Sequence, residues 1–154
     1  MTDTNYFDSS ALVKRYLTEV GSDWVQTRCN DPAHIIALAD IGRVEIAAAF
    51  ASKRRGQFIT QVDYQKARAK FISDAQHNYQ IVPVTSARID EAIDLTARHR
   101  LRGYDAVHLA CALYLNHTLL TSELSPLVFI TADTDLLESA RIEGLVTENP
   151  NLYP

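Results

Sequence analysis

The sequence predicts an α/β protein, with a mostly parallel sheet covered by helices on both faces. Two observations carry this. Short apolar runs alternate with longer segments of helical period along the whole chain, and paired helical segments separate the early strands. A third observation sets the extent: no linker, repeat or low-complexity tract interrupts the pattern. One domain over residues 1–154 is therefore expected.

Each element has a local reason. Thr4–Phe7 reads as a short strand, after which Asp8, Ser9 and Ser10 offer caps for a helix through Leu17. Gly21-Ser22 marks a break before a helix over Asp23–Cys29. His34–Leu38 is a buried strand. A long helix from Ile41 to Arg55 stops at Gly56, a C-terminal signal. Another covers Val62–His77, with Ala67, Phe71 and Ala75 on one stripe. Gln80–Val84 reads as a strand, with Pro83 at its edge or end. Ser86 starts a helix through Arg98 with Ile89, Ala92, Ile93 and Thr96 inward. Gly103 precedes a very apolar helix, Asp105–Leu115. Leu127–Thr131 is a strand, Thr134–Ile142 a helix and Leu145–Thr147 a last strand, and the tail ENPNLYP is expected at the surface.

Composition bounds the function. The 154 residues are 47% hydrophobic and 22% charged, with a formal net charge of -4. That balance gives no bulk attraction to nucleic acid but leaves room for local basic patches. Cys29 and Cys111 lack a metal-type spacing and read as small core residues. The N-terminal residues carry neither a basic segment nor a long apolar run, so a cytoplasmic protein with no membrane partner is expected. There is no G-x-G-x-x-G or Walker A motif for a nucleotide cofactor.

Four carboxylates stand beside apolar segments, where carboxylates are costly. Asp8 ends the first strand, Glu45 lies inside VEIAAAF, Asp105 opens DAVHLACALYL, and Asp133 follows VFIT with Asp135 as its close rival. Taken singly, the aspartates read equally well as helix caps, and Glu45 as a paired or snorkelling acid. Taken jointly, strand ends of an open α/β sheet bring such positions together. Oxygen ligands of this kind suit Mg²⁺ or Mn²⁺ and phosphodiester hydrolysis. Asp8, Asp105 and Asp133 are the candidate ligands. Glu45 would ligate or orient a water.

A net-negative protein must grip a polyanion locally. Lys14-Arg15, Lys53-Arg54-Arg55 and the RHRLR segment are the candidate patches. In the last, Arg98, Arg100 and Arg102 would form a basic lip before Asp105. Tyr6, Tyr16 and Tyr104 could stack on bases or pack locally, and His108 could act near Asp105 or pack behind it.

The blocks YFDSSALVKRY, VEIAAAF, RGYDAVHLACAL and FITADTDLL, in this order, resemble the PIN domain family, of the VapC-type toxins of type II toxin–antitoxin systems. The resemblance runs through essentially the whole chain. It implies a three-layer α/β/α sandwich and a Mg²⁺- or Mn²⁺-dependent endoribonuclease with Asp8, Glu45, Asp105 and Asp133 as its acids. Ser9 and Thr131 match hydroxyl positions near that centre. It also implies RNA as substrate, a cognate antitoxin lying across the groove, and a homodimer. A noncatalytic RNA-binding or partner-binding domain on the same fold is the alternative, and a small-substrate phosphohydrolase a third reading.

Overall fold

The computed structural model describes residues 2–154. Five strands form one sheet: β1 (Asp3–Phe7), β2 (His34–Ala39), β3 (Tyr79–Val82), β4 (Val128–Ile130) and β5 (Val146–Glu148). Their order is β3-β2-β1-β4-β5, and every neighbouring pair is parallel. The described residues also form seven α-helices, α1 (Ser9–Leu12), α2 (Ser22–Asn30), α3 (Asp40–Arg55), α4 (Gln61–His77), α5 (Ser86–Arg98), α6 (Gly103–Thr121) and α7 (Thr134–Ile142), and 3₁₀ turns over Val13–Arg15 and Pro150–Leu152.

The strands divide two layers of helices by simple alternation. On one face Tyr6, Ala37 and Phe129 pack with Ala92 and Leu95 of α5, the apolar body of α6, and Leu136 and Ala140 of α7. On the other face Phe7, Leu38 and Ile130 pack with α1, with Val25 of α2, with Ile46 and Phe50 of α3, and with Ala67, Phe71 and Ala75 of α4. This is the α/β/α sandwich with a parallel sheet. Because both faces are covered, the strands need no polar side.

The chain builds outward from β1 to β3, then returns to the other side of β1 to place β4 and β5. The crevice between β1 and β4 is the topological switch point, where two helices leave neighbouring strands in opposite directions. Two close approaches help fix this frame. A Cβ on Gly42 would lie 2.4 Å from Leu38 Cδ1 and 3.3 Å from His108 Cε1, so glycine lets α3 close onto β2 and α6. Gly21, at φ +85, has Pro150 O within 2.3 Å of where a Cβ would stand.

Several boundaries differ from the sequence reading. The first helix does not run to Leu17: α1 ends at Leu12 and a 3₁₀ turn follows over Val13–Arg15. β3 stops at Val82, because Pro83 has no N–H to continue the ladder. In α5 the inward residues are Ala92 and Leu95, while Ile89 and Ile93 are 40% and 61% exposed and Thr96 is also exposed. The register is rotated because α5 packs mainly along α6. The tail is not all surface: Asn149 and Pro150 are buried, and Tyr153 stacks on Trp24. No helix among the described residues is long and apolar enough to cross a membrane.

Candidate functional site

Asp8 leaves the end of β1 directly into the switch-point crevice, and its carboxylate does two jobs. It caps α1, accepting from Ala11 N at 3.0 Å, and it accepts from Ser10 Oγ at 2.7 Å and Thr131 Oγ1 at 2.6 Å. The last bond ties the ends of β1 and β4 together. Ser10 Oγ in turn accepts from Ala132 N, and Thr131 Oγ1 from Asp133 N. Asp8 is buried, and burial pushes its carboxyl above the ordinary range against the pull of His108, Thr131, Ser10 and Ala11.

Asp133 is also a cap. Its Oδ1 accepts from Asp135 N at 2.9 Å and Leu136 N at 3.1 Å, which starts α7. Its other oxygen faces Arg102 Nη2 at 3.6 Å. Asp105, in the first turn of α6, meets Arg102 Nε at 3.4 Å. Burial and the neighbouring Asp133 charge push the Asp105 carboxyl up, with Arg102 and His108 opposing. Asp105, Asp133 and Asp135 line one open pocket of about 410 Å³ with Arg100 and Arg102.

Glu45 enters from α3. Its Oε1 accepts from Ser9 Oγ at 2.7 Å and lies 2.6 Å from His108 Nε2. Burial works to raise its carboxyl, yet the His108 hydrogen bond, its charge and Ser9 hold it below the usual range. His108 is 1% exposed, and its Nδ1 lies 3.0 Å from the Tyr6 hydroxyl. With ionised Glu45 as acceptor, Nε2 carries the hydrogen. Nδ1 is then left to accept from Tyr6, or to donate to it in the imidazolium. Burial keeps the Tyr6 phenol protonated, well above its ordinary range.

The site thus has two connected parts. One is the Asp8–Ser10–Thr131 cluster and the Tyr6–His108–Glu45 chain, and the other is the Asp105–Asp133 pair. His108 couples electrostatically to Asp8 and Asp105. The donor set is all carboxylate oxygen, and burial raises the Asp8 and Asp105 carboxyls, a desolvation cost that a bound positive charge would offset. Both features fit a hard divalent cation. Among the described residues, no three acidic, histidine or cysteine side chains are gathered as a ready cation cage. Arg102 spans Asp105 and Asp133, and hydroxyl and imidazole groups occupy Asp8 and Glu45.

The basic candidates separate. Arg100 and Arg102 are exposed on the pocket rim. Arg98 pairs with Glu143 at 2.9 Å. Lys14 is 4% exposed and pairs with Glu19, withdrawn from the surface. Tyr6 is in the core and Tyr16 is hydrogen-bonded to Asp74, which leaves Tyr104 as the exposed one of the three tyrosines. Ser10 was legible only as a cap. Its link to Thr131 and Ala132 is a contact across more than a hundred residues that no local pattern encodes.

The PIN domain family model matches residues 6–142. Ribonuclease VapC45 of Mycobacterium tuberculosis is 33% identical over 108 residues, covering 70% of this chain and 74% of that protein. Two solved structures share the fold at low identity. VapBC2 from Rickettsia felis, bound to a DNA fragment from its promoter, has a TM-score of 0.61 at 11% identity, covering 95% of this chain and 98% of that one. FitAcB from Neisseria gonorrhoeae has a TM-score of 0.62 at 13% identity, with 94% and 96% covered.

Proposed function

We propose that this chain, which belongs to the PIN domain family and is related to VapC-type toxins, is a divalent-cation-dependent endoribonuclease. In this reading it is the toxin of a type II toxin–antitoxin pair. The single observation that carries the reading is the crevice itself. Asp8 and Thr131 are hydrogen-bonded across the β1/β4 switch point at 2.6 Å, and the same Thr131 hydroxyl accepts from Asp133 N at 3.0 Å.

Asp8, Asp105 and Asp133 would hold Mg²⁺ or Mn²⁺, with Glu45 and Asp135 as further oxygen donors. Such an ion would neutralise phosphoryl charge and make water a stronger nucleophile at neutral pH. The protein's own groups do the rest. Thr131 and Ser10 hold Asp8 in one orientation. Both bonds to Glu45 land on Oε1, so its second oxygen can orient the attacking water. Held below the usual carboxylate range, Glu45 serves as an ionised acceptor rather than a strong base. Arg100 and Arg102 would contact RNA phosphates, which position a strand without reading its sequence. An antitoxin segment would cover the same groove, and a second copy of the chain is proposed as the homodimer partner. Residues 1–154 would act as one domain.

The test is RNA cleavage by purified protein with Mg²⁺ or Mn²⁺, with EDTA, and with Asp8→Asn. Cleavage that survives both EDTA and the substitution would sink the proposal. RNA binding without any cleavage by wild-type protein would favour the noncatalytic alternative.

A further inference from the structure

We propose that Arg102 is a built-in, displaceable counter-cation of the Asp105–Asp133 pair. It competes with the divalent ion for the two carboxylates and turns outward to RNA phosphate when the ion binds. The inference rests on the metal-site reading above.

Geometry is the first support. Arg102 stands at the N-cap of α6 in extended conformation, φ -70 and ψ 157. Its guanidinium reaches Asp105 Oδ2 at 3.4 Å through Nε and Asp133 Oδ2 at 3.6 Å through Nη2. One planar cation therefore bridges two acids that start different helices. Those acids repel each other. Arg102 supplies the positive charge that lets both stand at the pocket.

The second support is looseness. Both distances exceed the usual close hydrogen bond of about 3.2 Å. The Arg102 side chain is 85% exposed, against 21% for Asp105 and 26% for Asp133. An exposed pair of this kind contributes little and rearranges readily. A divalent ion brings twice the charge to the same oxygens, and a guanidinium crowded against it would be repelled.

The third support is where Arg102 can go. The segment before it is pinned, because Arg98 and His99 both hold Glu143, at 2.9 and 2.7 Å. After it, Gly103 has open space where a Cβ would stand. Arg100 is exposed on the same pocket rim. A displaced Arg102 joins Arg100 there, so cation entry would turn an internal ion pair into a phosphate contact.

The experiment is calorimetric titration of Mn²⁺ into the full RNA-free chain at low salt, for wild type, Arg102→Ala, Arg102→Lys and Asp105→Asn. Arg102→Ala should bind Mn²⁺ about three- to tenfold more tightly than wild type, the range two weak exposed pairs allow. Arg102→Lys, which keeps the charge without the fork, should fall between them. Asp105→Asn should bind least. In thermal melts, metal-free Arg102→Ala should unfold below wild type and gain more from Mn²⁺. Equal or weaker Mn²⁺ binding by Arg102→Ala, with wild type binding and Asp105→Asn impaired, overturns the inference and leaves the metal site standing. No binding by wild type or Arg102→Ala, or wild-type binding by Asp105→Asn, overturns both.

Discussion

Glu45 and His108 lie on different helices, and the Glu45 Oε1–His108 Nε2 distance is 2.6 Å. The histidine is buried against the Tyr6 hydroxyl, so the acid is held from the core side and not from solvent. His108→Ala should therefore harm the fold and the site together. It takes the imidazole partner from the Tyr6 hydroxyl, which keeps only its backbone contact at Ala39, and empties a packed position, at a cost of about 2–4 kcal/mol by urea denaturation. His108→Gln, which keeps a donor, should recover part of that loss. Equal stability of the alanine variant and wild type would show that the Tyr6–His108–Glu45 chain is not structural.

Asp105→Asn should separate stability from activity. In the folded protein this carboxyl is raised by burial and by Asp133, so its contribution is present at acid pH and lost as pH rises through the raised value. At neutral pH the charged form is a burden. The amide removes that burden, so the metal-free melting temperature should rise, while RNA cleavage falls at least about 100-fold. A lower melting temperature for the variant at neutral pH counts against this account.

Asp74 carries the opposite sign, away from the site. Burial acts to raise its carboxyl, but the Tyr16 hydrogen bond at 2.7 Å, then Lys70 at 3.1 Å and Arg15 nearby, hold it low. Its contribution is complete above the ordinary aspartate range and is lost as pH falls through the depressed folded value. Asp74→Asn should lose about 1–3 kcal/mol at pH 7. Between neutral and acid pH, the stability of the variant should also fall less steeply than that of wild type. Parallel acid limbs for the two proteins would refute the assignment.

Gly42→Ala tests the approach of α3 to β2 and α6. The added methyl would meet Leu38 Cδ1 at 2.4 Å, too close without a shift. Ordinary helix propensity favours alanine over glycine, so a simple helical site would gain stability. Here overpacking should win by about 1–3 kcal/mol. The displaced helix should also weaken the Glu45–His108 contact, read as lower cleavage at unchanged RNA affinity. A stabilised variant would show that the gap is filled by side-chain rotation alone.

Much of the molecule was legible in the linear chain, because helices, strands and caps are local. Asp8 and Asp133, both read as possible caps, do cap the helices that follow, whereas the caps of α4 and α5, Thr60 and Thr85, stand just before the starts that the sequence suggested. The order of strands and helices then restricts the sheet to parallel topologies. Local pattern loses its hold where a distant partner decides. The exposed side of α5 depends on where α6 lies, and the burial of Pro150 depends on Gly21.

The same division runs through the site. Residue chemistry alone singled out four acids beside apolar segments and a basic lip ahead of Asp105, since a carboxylate near the core needs a reason wherever the chain takes it. Only the folded chain decided what each acid touches. It gave Asp8 to Thr131, Glu45 to His108 and the Asp105–Asp133 pair to Arg102, and it put Lys14 out of reach in the interior. Hydrogen bonds and ion pairs act over a few ångströms of space, whereas these partners are separated by up to 123 residues of sequence.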